Sequence, residues 1–385
     1  IDMRYTIHKK TRHAHSIMKK IYYFLFDVAV RLLRKSKRLR ELEVKLENIL
    51  FTPKAHYDLF KKYQPHKLIV SSLGYFGFDH YLMREARSHG AKVVSVILSW
   101  DNTSSKGMPG AFPDHIIAWT ENMKEELIGY SDVNPSIVSV GGIAHFDYHH
   151  RKDTHWAKEK LYSHFGLDHT RKLIFFAPRS PNNYPWNPEI VEFLAQAIQE
   201  NRFIHPVQLL VRLHPLNFRV KNGQFRFEQD TERHMALQDK YPHLVYDIPH
   251  ILSKKLPMDM PKDEMNKIGA ILSYADVFLN FYSTMMLEAS IFDLPIINVA
   301  LYTHNQLLPI KDLRVMKSPH IERVVKTKGV RTVFDKQELI DMINMYLEDR
   351  KIDAEGRRLI RQQECYVHAG RAGQVISEHI LNLTF

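Results

Sequence analysis

Short apolar runs alternate with helical stretches along most of the chain, and this alternation constrains the fold more than any other feature of the sequence. The runs are rich in Ile, Val, Leu and Phe and are bounded by turn residues or by a helix. Strands separated by single helices form βαβ units, in which a parallel sheet is covered on both faces. The predicted strands are Asn48–Thr52, Lys67–Ser72, Lys92–Leu98, His115–Trp119, Ser136–Val140, Lys172–Ala177, Pro206–Leu213, Leu244–Asp247, Val277–Asn280 and Ile296–Val299.

The chain divides into two similar halves, since 385 residues suggest two domains rather than one. A boundary is expected near Gly166, after the polar helix Thr154–Phe165. We predict an α/β fold of two doubly wound, Rossmann-like domains facing a cleft. The predicted segments are a basic amphipathic helical segment at 1–45, an N-terminal domain at 46–165, a C-terminal domain at 166–350, and C-terminal helices at 351–385 that pack back across the cleft.

The positive charge lies at one end of the chain. Residues 1–40 hold twelve Lys/Arg and two acids, which account for +10 of the formal balance of +11. Within them, Ser16–Arg40 is expected to form an amphipathic helix with Ile21, Phe24 and Leu25 on its apolar face. Such a helix suits an anionic membrane surface. The alternatives are packing onto the first domain with the bases solvated, and nucleic-acid binding, which the nearly neutral remainder of the chain disfavours.

Several strong signatures are absent from the sequence. It has no glycine-rich dinucleotide fingerprint, P-loop, HExxH, GxSxG or cysteine-based zinc pattern, and no Asp-x-Asp pair. We therefore expect neither a bound metal nor a cofactor. The lone cysteine, Cys365, excludes an intramolecular disulfide framework and fits a reducing compartment. No apolar run reaches the roughly 18 to 20 residues needed to span a bilayer.

Two strands of the second half end in residues suited to anion binding. Pro215 stops one strand, so Arg212 or His214 is expected at its carboxyl end, where open α/β sheets bind ligands. Either residue could donate to a phosphate, although a His that only caps a strand end is equally consistent with the pattern. Arg179 ends the first strand of this half and could neutralise a diphosphate.

A third strand, Val277–Asn280, runs into a helix whose N-cap is expected to be Ser283 or Thr284. The free N–H groups of such a helix start attract phosphate. Glu288 lies one turn further on, where its carboxylate could accept ribose hydroxyls. A plain N-cap followed by an exposed Glu is the alternative.

These motifs, in this order, resemble the C-terminal half of the CDP-glycerol glycerophosphotransferase family. More broadly they look like GT-B glycosyltransferases of bacterial surface polysaccharides. The His-Pro followed by a Ser-Thr pair is also similar to bacterial transferases that use CMP-sugars. The resemblance implies that His214 contacts the donor phosphate and that Ser283 and Thr284 hold it at a helix start, with the C-terminal domain binding the donor.

A loop in the first half, Leu98–Gly107, resembles in position the Trp-His-Gly-Thr stretch of the glycerophosphotransferases, where the His is a proposed base. Here Asp101 or Asn102 stands in its place, beside Trp100. An Asp can take the proton of an acceptor hydroxyl, so Asp101 is the candidate catalytic base, and a turn-forming Asp is the alternative. Gly74 joins a strand to a helix and could let an acceptor approach the backbone.

The resemblance implies a metal-independent glycosyltransferase with His214 and Asp101 as catalytic residues. The partners would be a nucleotide-sugar donor, a lipid-linked or growing surface glycan, and an anionic membrane surface contacted by residues 16–40, with no nucleic acid. The protein is expected in the cytoplasm, peripheral at the inner face of a bacterial cell membrane. A CDP-glycerol-type polyol-phosphate transferase, a nucleotide-sugar epimerase or hydrolase, and a non-catalytic scaffold of capsule assembly are the alternatives.

Overall fold

A computed structural model describes residues 16–75, 78–181, 184–221, 224–253, 259–301 and 316–385. The chain forms two compact units. The first unit runs to Gly141 and also includes Ile376–Phe385, and the second unit spans Gly142–Val375. The division falls earlier in the chain than the predicted boundary near Gly166, at a pair of glycines that directly follows a strand.

The first unit is built on a sheet of four parallel strands whose spatial order is their chain order. The strands are β1 (Lys67–Val70), β2 (Lys92–Val96), β3 (His115–Ala118) and β4 (Val138–Val140). The helices are α1 (Ile17–Lys35), α2 (Lys37–Leu50), α3 (Tyr57–Tyr63), α4 (Asp79–Ser88), α5 (Asn102–Ser105) and α6 (Glu121–Ser131). Part of its core forms where Phe60, Met83 and Val93 pack together.

Two predictions for the amino-terminal segment are wrong. The expected strand at Asn48–Thr52 does not form. Its first three residues end α2, because Ile49 continues the helical spacing of Leu42 and Leu46. The expected single helix Ser16–Arg40 is two helices, since Ser36 is extended and its Oγ accepts from the Leu39 amide at 3.3 Å. The first fifteen residues of the predicted basic segment lie outside the described residues.

The second unit holds a parallel sheet of six strands in the order β12-β11-β10-β5-β6-β9. The strands are β5 (Lys172–Ala177), β6 (Val207–Arg212), β9 (Leu244–Asp247), β10 (Val277–Asn280), β11 (Ile296–Val299) and β12 (Val330–Val333), with a separate antiparallel pair, β7 (Val220–Lys221) and β8 (Gln224–Phe225). Strand β12 was not predicted, because Arg331 and Thr332 interrupt its apolar pattern. The strand order reverses between β5 and β10, as in the Rossmann arrangement.

Helices cover this sheet and complete the carboxyl end of the chain. They are α7 (Asp147–His150), α8 (Lys158–Phe165), α9 (Asn187–Gln199), α10 (Glu228–Lys240), α11 (Lys262–Tyr274), α12 (Met285–Ile291), α13 (Pro319–Lys326), α14 (Lys336–Glu348) and α15 (Ala354–Glu364). The last helix, α16 (Ala372–Asn382), begins in the second unit and ends in the first. That these last helices pack back across a cleft stays a prediction.

The start of α16 and the end of α15 are both fixed within the second unit. Asp147 accepts hydrogen bonds from the amides of Ala372 and Gly373 at 2.9 and 2.8 Å, which satisfies two free N–H groups at the start of α16.

Cys365, at the end of α15, is buried, and burial raises the pKa of its thiol. None of the described helices has the length and apolar character needed to cross a membrane.

Candidate functional site

Three predicted site residues follow three neighbouring strands of the second unit. Arg179 follows β5, His214 follows β6, and Ser283 follows β10, and these strands are adjacent in the order β10-β5-β6. Because the strands are parallel, their carboxyl ends lie at one edge of the sheet. This edge includes the reversal of strand order between β5 and β10, which is the place where open α/β sheets bind ligands.

His214 is held as a neutral hydrogen-bond donor. Burial and the positive charges of Arg212 and Arg179 lower its pKa to about 4. Its Nδ1 accepts from the Leu216 amide at 3.1 Å, so in the neutral ring the proton is on Nε2. His214 therefore offers an N–H to a ligand at neutral pH, and it is not a cation there.

Arg179 lies in a loop that two side-chain hydrogen bonds hold in place. The Asn187 side chain donates to the Arg179 carbonyl at 2.6 Å, and the guanidinium carbon is 5.2 Å from the centre of the Phe281 ring. The buried Tyr184 hydroxyl donates to the Leu301 carbonyl at 3.0 Å. The proline-containing segment after Arg179 is thus tied at Tyr184 to the chain just after β11, and its residues 182–183 lie outside the described part of the chain.

The turn after β10 is shaped by two buried asparagines that the sequence analysis missed. Asn280 and Asn298 are paired in register on β10 and β11. The side-chain Oδ1 of Asn298 accepts from the Tyr282 amide at 3.0 Å, and the Oδ1 of Asn280 accepts from the Ser283 amide at 3.1 Å. Tyr282 has a φ of 45°, a left-handed conformation that costs free energy in a residue with a Cβ and that these bonds support.

Several buried polar atoms at this edge have no hydrogen-bond partner within the described residues. They are Ser283 Oγ, Ser180 Oγ and Asn298 Nδ2. Each can donate a hydrogen bond. Ser283 follows β10, Ser180 follows β5, and Asn298 is the residue before the last one of β11. Buried polar groups are normally satisfied, so unpaired donors at this edge are typical of a site that an oxygen-rich ligand completes.

The expected N-cap at Ser283 or Thr284 differs in the structure. Thr284 immediately precedes α12 but makes no side-chain capping bond, and the Met286 amide donates instead to the Ser283 carbonyl at 3.1 Å. The reason is that Thr284 already has helical φ and ψ, whereas a capping side chain needs an extended backbone. Ser283 Oγ is thereby left without a role in the helix.

Glu288 is paired within the unit. Its Oε2 is 2.9 Å from Nε2 of His149, a side chain with no exposed surface. Burial alone raises the pKa of Glu288, but the hydrogen bond from His149 and the nearby His145 and Arg212 outweigh it, so the pKa is lowered. The carboxylate stays ionised, with Oε1 outside this bond.

Arg212 is the last residue of β6, as expected, but its side chain is paired within the unit. It is buried in a four-membered ion network, bonded to Asp247 and, at 2.8 Å, to Glu264. Lys267 Nζ completes the network, 2.8 Å from Asp247 and 2.7 Å from Glu264. Two cations and two carboxylates compensate one another in the interior, so the Arg212 guanidinium is committed to holding β6, β9 and α11 together.

In the first unit, Asp101 is enclosed by donors. Its carboxylate accepts from Ser99 Oγ at 2.7 Å, Ser105 Oγ at 3.0 Å and Lys106 Nζ at 3.0 Å. Burial raises its pKa, but these bonds outweigh burial and lower it. Asp101 is therefore ionised and able to accept a proton, although a lowered pKa makes it a weaker base than an ordinary Asp.

The other predicted acceptor-side residues lie in buried loops after β1 and β2. Trp100 and Asn102 are buried, and neither polar atom of the Asn102 side chain has a hydrogen-bond partner in the described residues. Gly74 has a φ of 72°, and a Cβ there would lie 2.8 Å from the Cβ of His80, so only glycine fits. The Gly74 amide donates to Ser72 Oγ at 3.1 Å.

Known structures identify the fold. No protein-family model and no curated protein matches this chain. The UDP-GlcNAc 2-epimerase of Neisseria meningitidis bound to UDP-GlcNAc aligns with 12% identity over 85% of this chain and 79% of its own, with a TM-score of 0.53. The MnaA–UDP structure of S. aureus aligns with 13% identity over 85% of this chain and 79% of its own, with a TM-score of 0.52. A variant of the wall teichoic acid polymerase TagF aligns with 11% identity over 89% of this chain and 96% of its own, with a TM-score of 0.49.

The chain has the GT-B-type fold. This confirms the expected fold class, and a shared fold does not by itself determine the activity. Among the described residues, no three His, Cys, Asp or Glu side chains are grouped so as to hold a metal ion.

Sequence reasoning named Arg179, His214 and Ser283, which the fold brings to one sheet edge, but missed Asn280, Asn298 and His149. An Asn at the end of an otherwise apolar strand was the available signal for the first two. His149 could not be found in this way, because its partner Glu288 is far away in the sequence.

Proposed function

We propose that this protein is a metal-independent glycosyltransferase that moves a sugar from a nucleotide-sugar donor to a lipid-linked or growing surface glycan. It would act at the inner face of a bacterial cell membrane. The proposal rests most on one sheet edge. There a neutral His214 with its proton on Nε2, the cationic Arg179 and the unpaired Ser283 hydroxyl follow the three consecutive strands β6, β5 and β10.

These groups suit the phosphate end of a nucleotide donor. His214 Nε2–H and Ser283 Oγ–H are hydrogen-bond donors, and Arg179 adds a positive charge that contributes to the lowered pKa of His214. Phosphate oxygens need such donors, and charge-assisted bonds to them are the stronger kind. The Oε1 atom of Glu288 is assigned to the ribose hydroxyls.

In the proposed reaction, each of these groups acts on one bond, charge or proton. The acceptor hydroxyl oxygen attacks the anomeric carbon, and the bond from that carbon to the phosphate oxygen breaks with its electron pair going to the phosphate. His214 and Arg179 stabilise the charge that develops on the phosphate. Asp101 takes the proton of the attacking hydroxyl as general base.

The first experiment identifies the donor. Thermal shift measurements with CMP-, CDP-, UDP- and GDP-linked donors should give stabilisation by one nucleotide class in the wild type and a reduced shift in Arg179→Met, with His205→Gln as an exposed control. Transfer is then followed with a glycan acceptor. Sugar transfer is expected, it should need the acceptor, and it should persist in EDTA.

The same assays separate the alternatives. Transfer of a polyol phosphate would identify a polyol-phosphate transferase. Conversion or hydrolysis of the donor without acceptor would identify an epimerase or a hydrolase. Loss of all activity in EDTA would contradict the metal-independent mechanism. Absence of binding to every donor class would favour the scaffold.

A further inference from the structure

The second helix of the chain is oriented in the opposite way to an ordinary surface helix. Its polar side faces the first unit, where Glu47 pairs with Arg84 and Arg40 pairs with Asp132. Its leucines and isoleucine face outward, and Ile49 is 77% exposed. A surface helix normally buries its apolar stripe and exposes its charges. The reversed arrangement indicates that the apolar face of α2 has a partner outside this unit.

Arg40 fixes this orientation and joins α2 to α1. Its Nη1 donates to the carbonyls of Leu33 and Arg34, at 2.6 and 3.1 Å, while its Nε binds Asp132. One guanidinium therefore holds the last turn of α1, the first turn of α2 and the loop after α6. The two helices are positioned relative to the unit by ion pairs and hydrogen bonds, and within the part of the chain that the structure describes their apolar faces are exposed.

Helix α1 presents a wide apolar face of its own. Met18, Ile21, Leu25 and Leu32 lie on one side at helical spacing and are about half exposed or more. The single buried residue of α1 is Asp27, which pairs with Arg31 at 2.6 Å. Exposed apolar areas of this extent mark interaction sites.

The charge around these faces selects the partner. Lys19, Lys20, Arg34, Lys35, Lys37 and Arg38 are exposed and form no ion pair within the described residues. Basic side chains that flank an apolar helical face fit a surface with negatively charged groups outside and an apolar layer beneath them. The interface of an anionic bilayer is such a surface. A nucleic acid would match the bases and leave the apolar faces in water.

We propose that α1 and α2 together, residues 16–51, form a two-helix surface that lies in the interface of an anionic lipid bilayer. The surface is broader than the single helix expected from the sequence, since α2 contributes Leu42, Leu46 and Ile49. This inference does not depend on the chemistry proposed above, because binding to a bilayer can be measured without donor or acceptor.

The test is vesicle flotation with the full chain, using phosphatidylcholine alone and phosphatidylcholine mixed with phosphatidylglycerol, at low and high salt. The wild type should float with the anionic vesicles and be released by salt. Arg34→Gln/Lys35→Gln should weaken binding roughly 30-fold, the effect of two bases near an anionic surface. Lys328→Gln/Lys351→Gln is the matched control.

Two further variants test the apolar faces. Ile21→Gln/Leu25→Gln/Leu32→Gln on α1 and Leu42→Gln/Leu46→Gln/Ile49→Gln on α2 should each reduce binding at least about tenfold, since glutamine removes apolar area while keeping helix propensity. Ile204→Gln is the exposed control, and circular dichroism checks that the helices persist.

Three results would overturn the proposal. In the first, the wild type stays in solution with anionic vesicles at low salt. In the second, both triple variants bind as the wild type does. In the third, light scattering would show a dimer that the triple variants dissociate while no vesicle binding occurs, which assigns the faces to a second copy of the chain.

Discussion

Asn280 and Asn298 stand side by side on adjacent parallel strands, and each holds one of two consecutive backbone N–H groups in the turn that follows β10. The pair sets the conformation of Tyr282 and the position of Ser283. A turn built in this way is rigid because both of its amides are satisfied by side chains that are themselves buried.

Asn298→Ala should therefore destabilise the protein by about 1–3 kcal/mol, because the buried Tyr282 amide loses its acceptor. Donor binding should weaken as well, since the turn that places Ser283 relaxes. Urea unfolding and the donor-induced thermal shift measure the two effects. Asn344→Ala, which removes a similar bond to the Ile204 amide at an exposed site, should cost less and leave binding unchanged.

Two arginines of similar predicted role should behave in opposite ways. Arg212→Met breaks a buried ion network and should cost about 3–5 kcal/mol, with the donor affinity of the folded fraction nearly unchanged. Arg179→Met should lower donor affinity with little loss of stability. Chemical unfolding and donor titration distinguish them, and a reversed pattern would move the phosphate contact to Arg212.

Acid should destabilise this protein through the buried His234 and the half-buried His214. Burial lowers the pKa of His214 and of His234 to about 4, against about 6.5 in the unfolded chain. The unfolded state therefore binds more protons between these values, so stability is full above pH 6.5 and falls as the pH drops toward 4.

Urea unfolding between pH 7 and pH 4.5 measures this loss of stability. His234→Gln should reduce the slope with pH, while His205→Gln, at an exposed site, should not. An identical slope in the wild type and in His234→Gln would mean that His234 titrates normally in the folded protein.

Lys106 should control the acidic limb of activity. It contributes to the lowered pKa of Asp101, so Lys106→Met should raise that pKa. If Asp101 is the base, the variant loses activity at a higher pH than the wild type as the solution is acidified. A pH–rate profile records this shift of the acidic limb. Lys62→Met serves as the control, and an unmoved acidic limb would indicate that Asp101 is not the titrating base.

The sequence was most informative where apolar runs lie inside the second unit. Strands β5, β9, β10 and β11 have the predicted bounds, because a strand buried on both faces needs a continuous apolar run that turn residues end. Prediction failed where the local pattern was mixed, as at β12, or where a short apolar run belonged to a helix, as at the end of α2.

The candidate site could be predicted only in part, for a related physical reason. His214 and Ser283 are set by a strand end, which is local. The role of Arg212 depends on Asp247, Glu264 and Lys267, and no local pattern shows which carboxylates a buried cation will meet. In the same way, the pairing of Glu288 with His149 joins segments that are distant in the sequence.

Cys365 has a practical consequence for experiments on this molecule. It is the chain's one cysteine, it is buried, and burial raises the pKa of its thiol, so the nucleophilic thiolate is scarce at neutral pH. Maleimide reagents should leave the native protein unmodified. A cysteine introduced on α1 or α2 would then be the single labelled position, and an environment-sensitive dye there would report directly on its surroundings without any change to the native background.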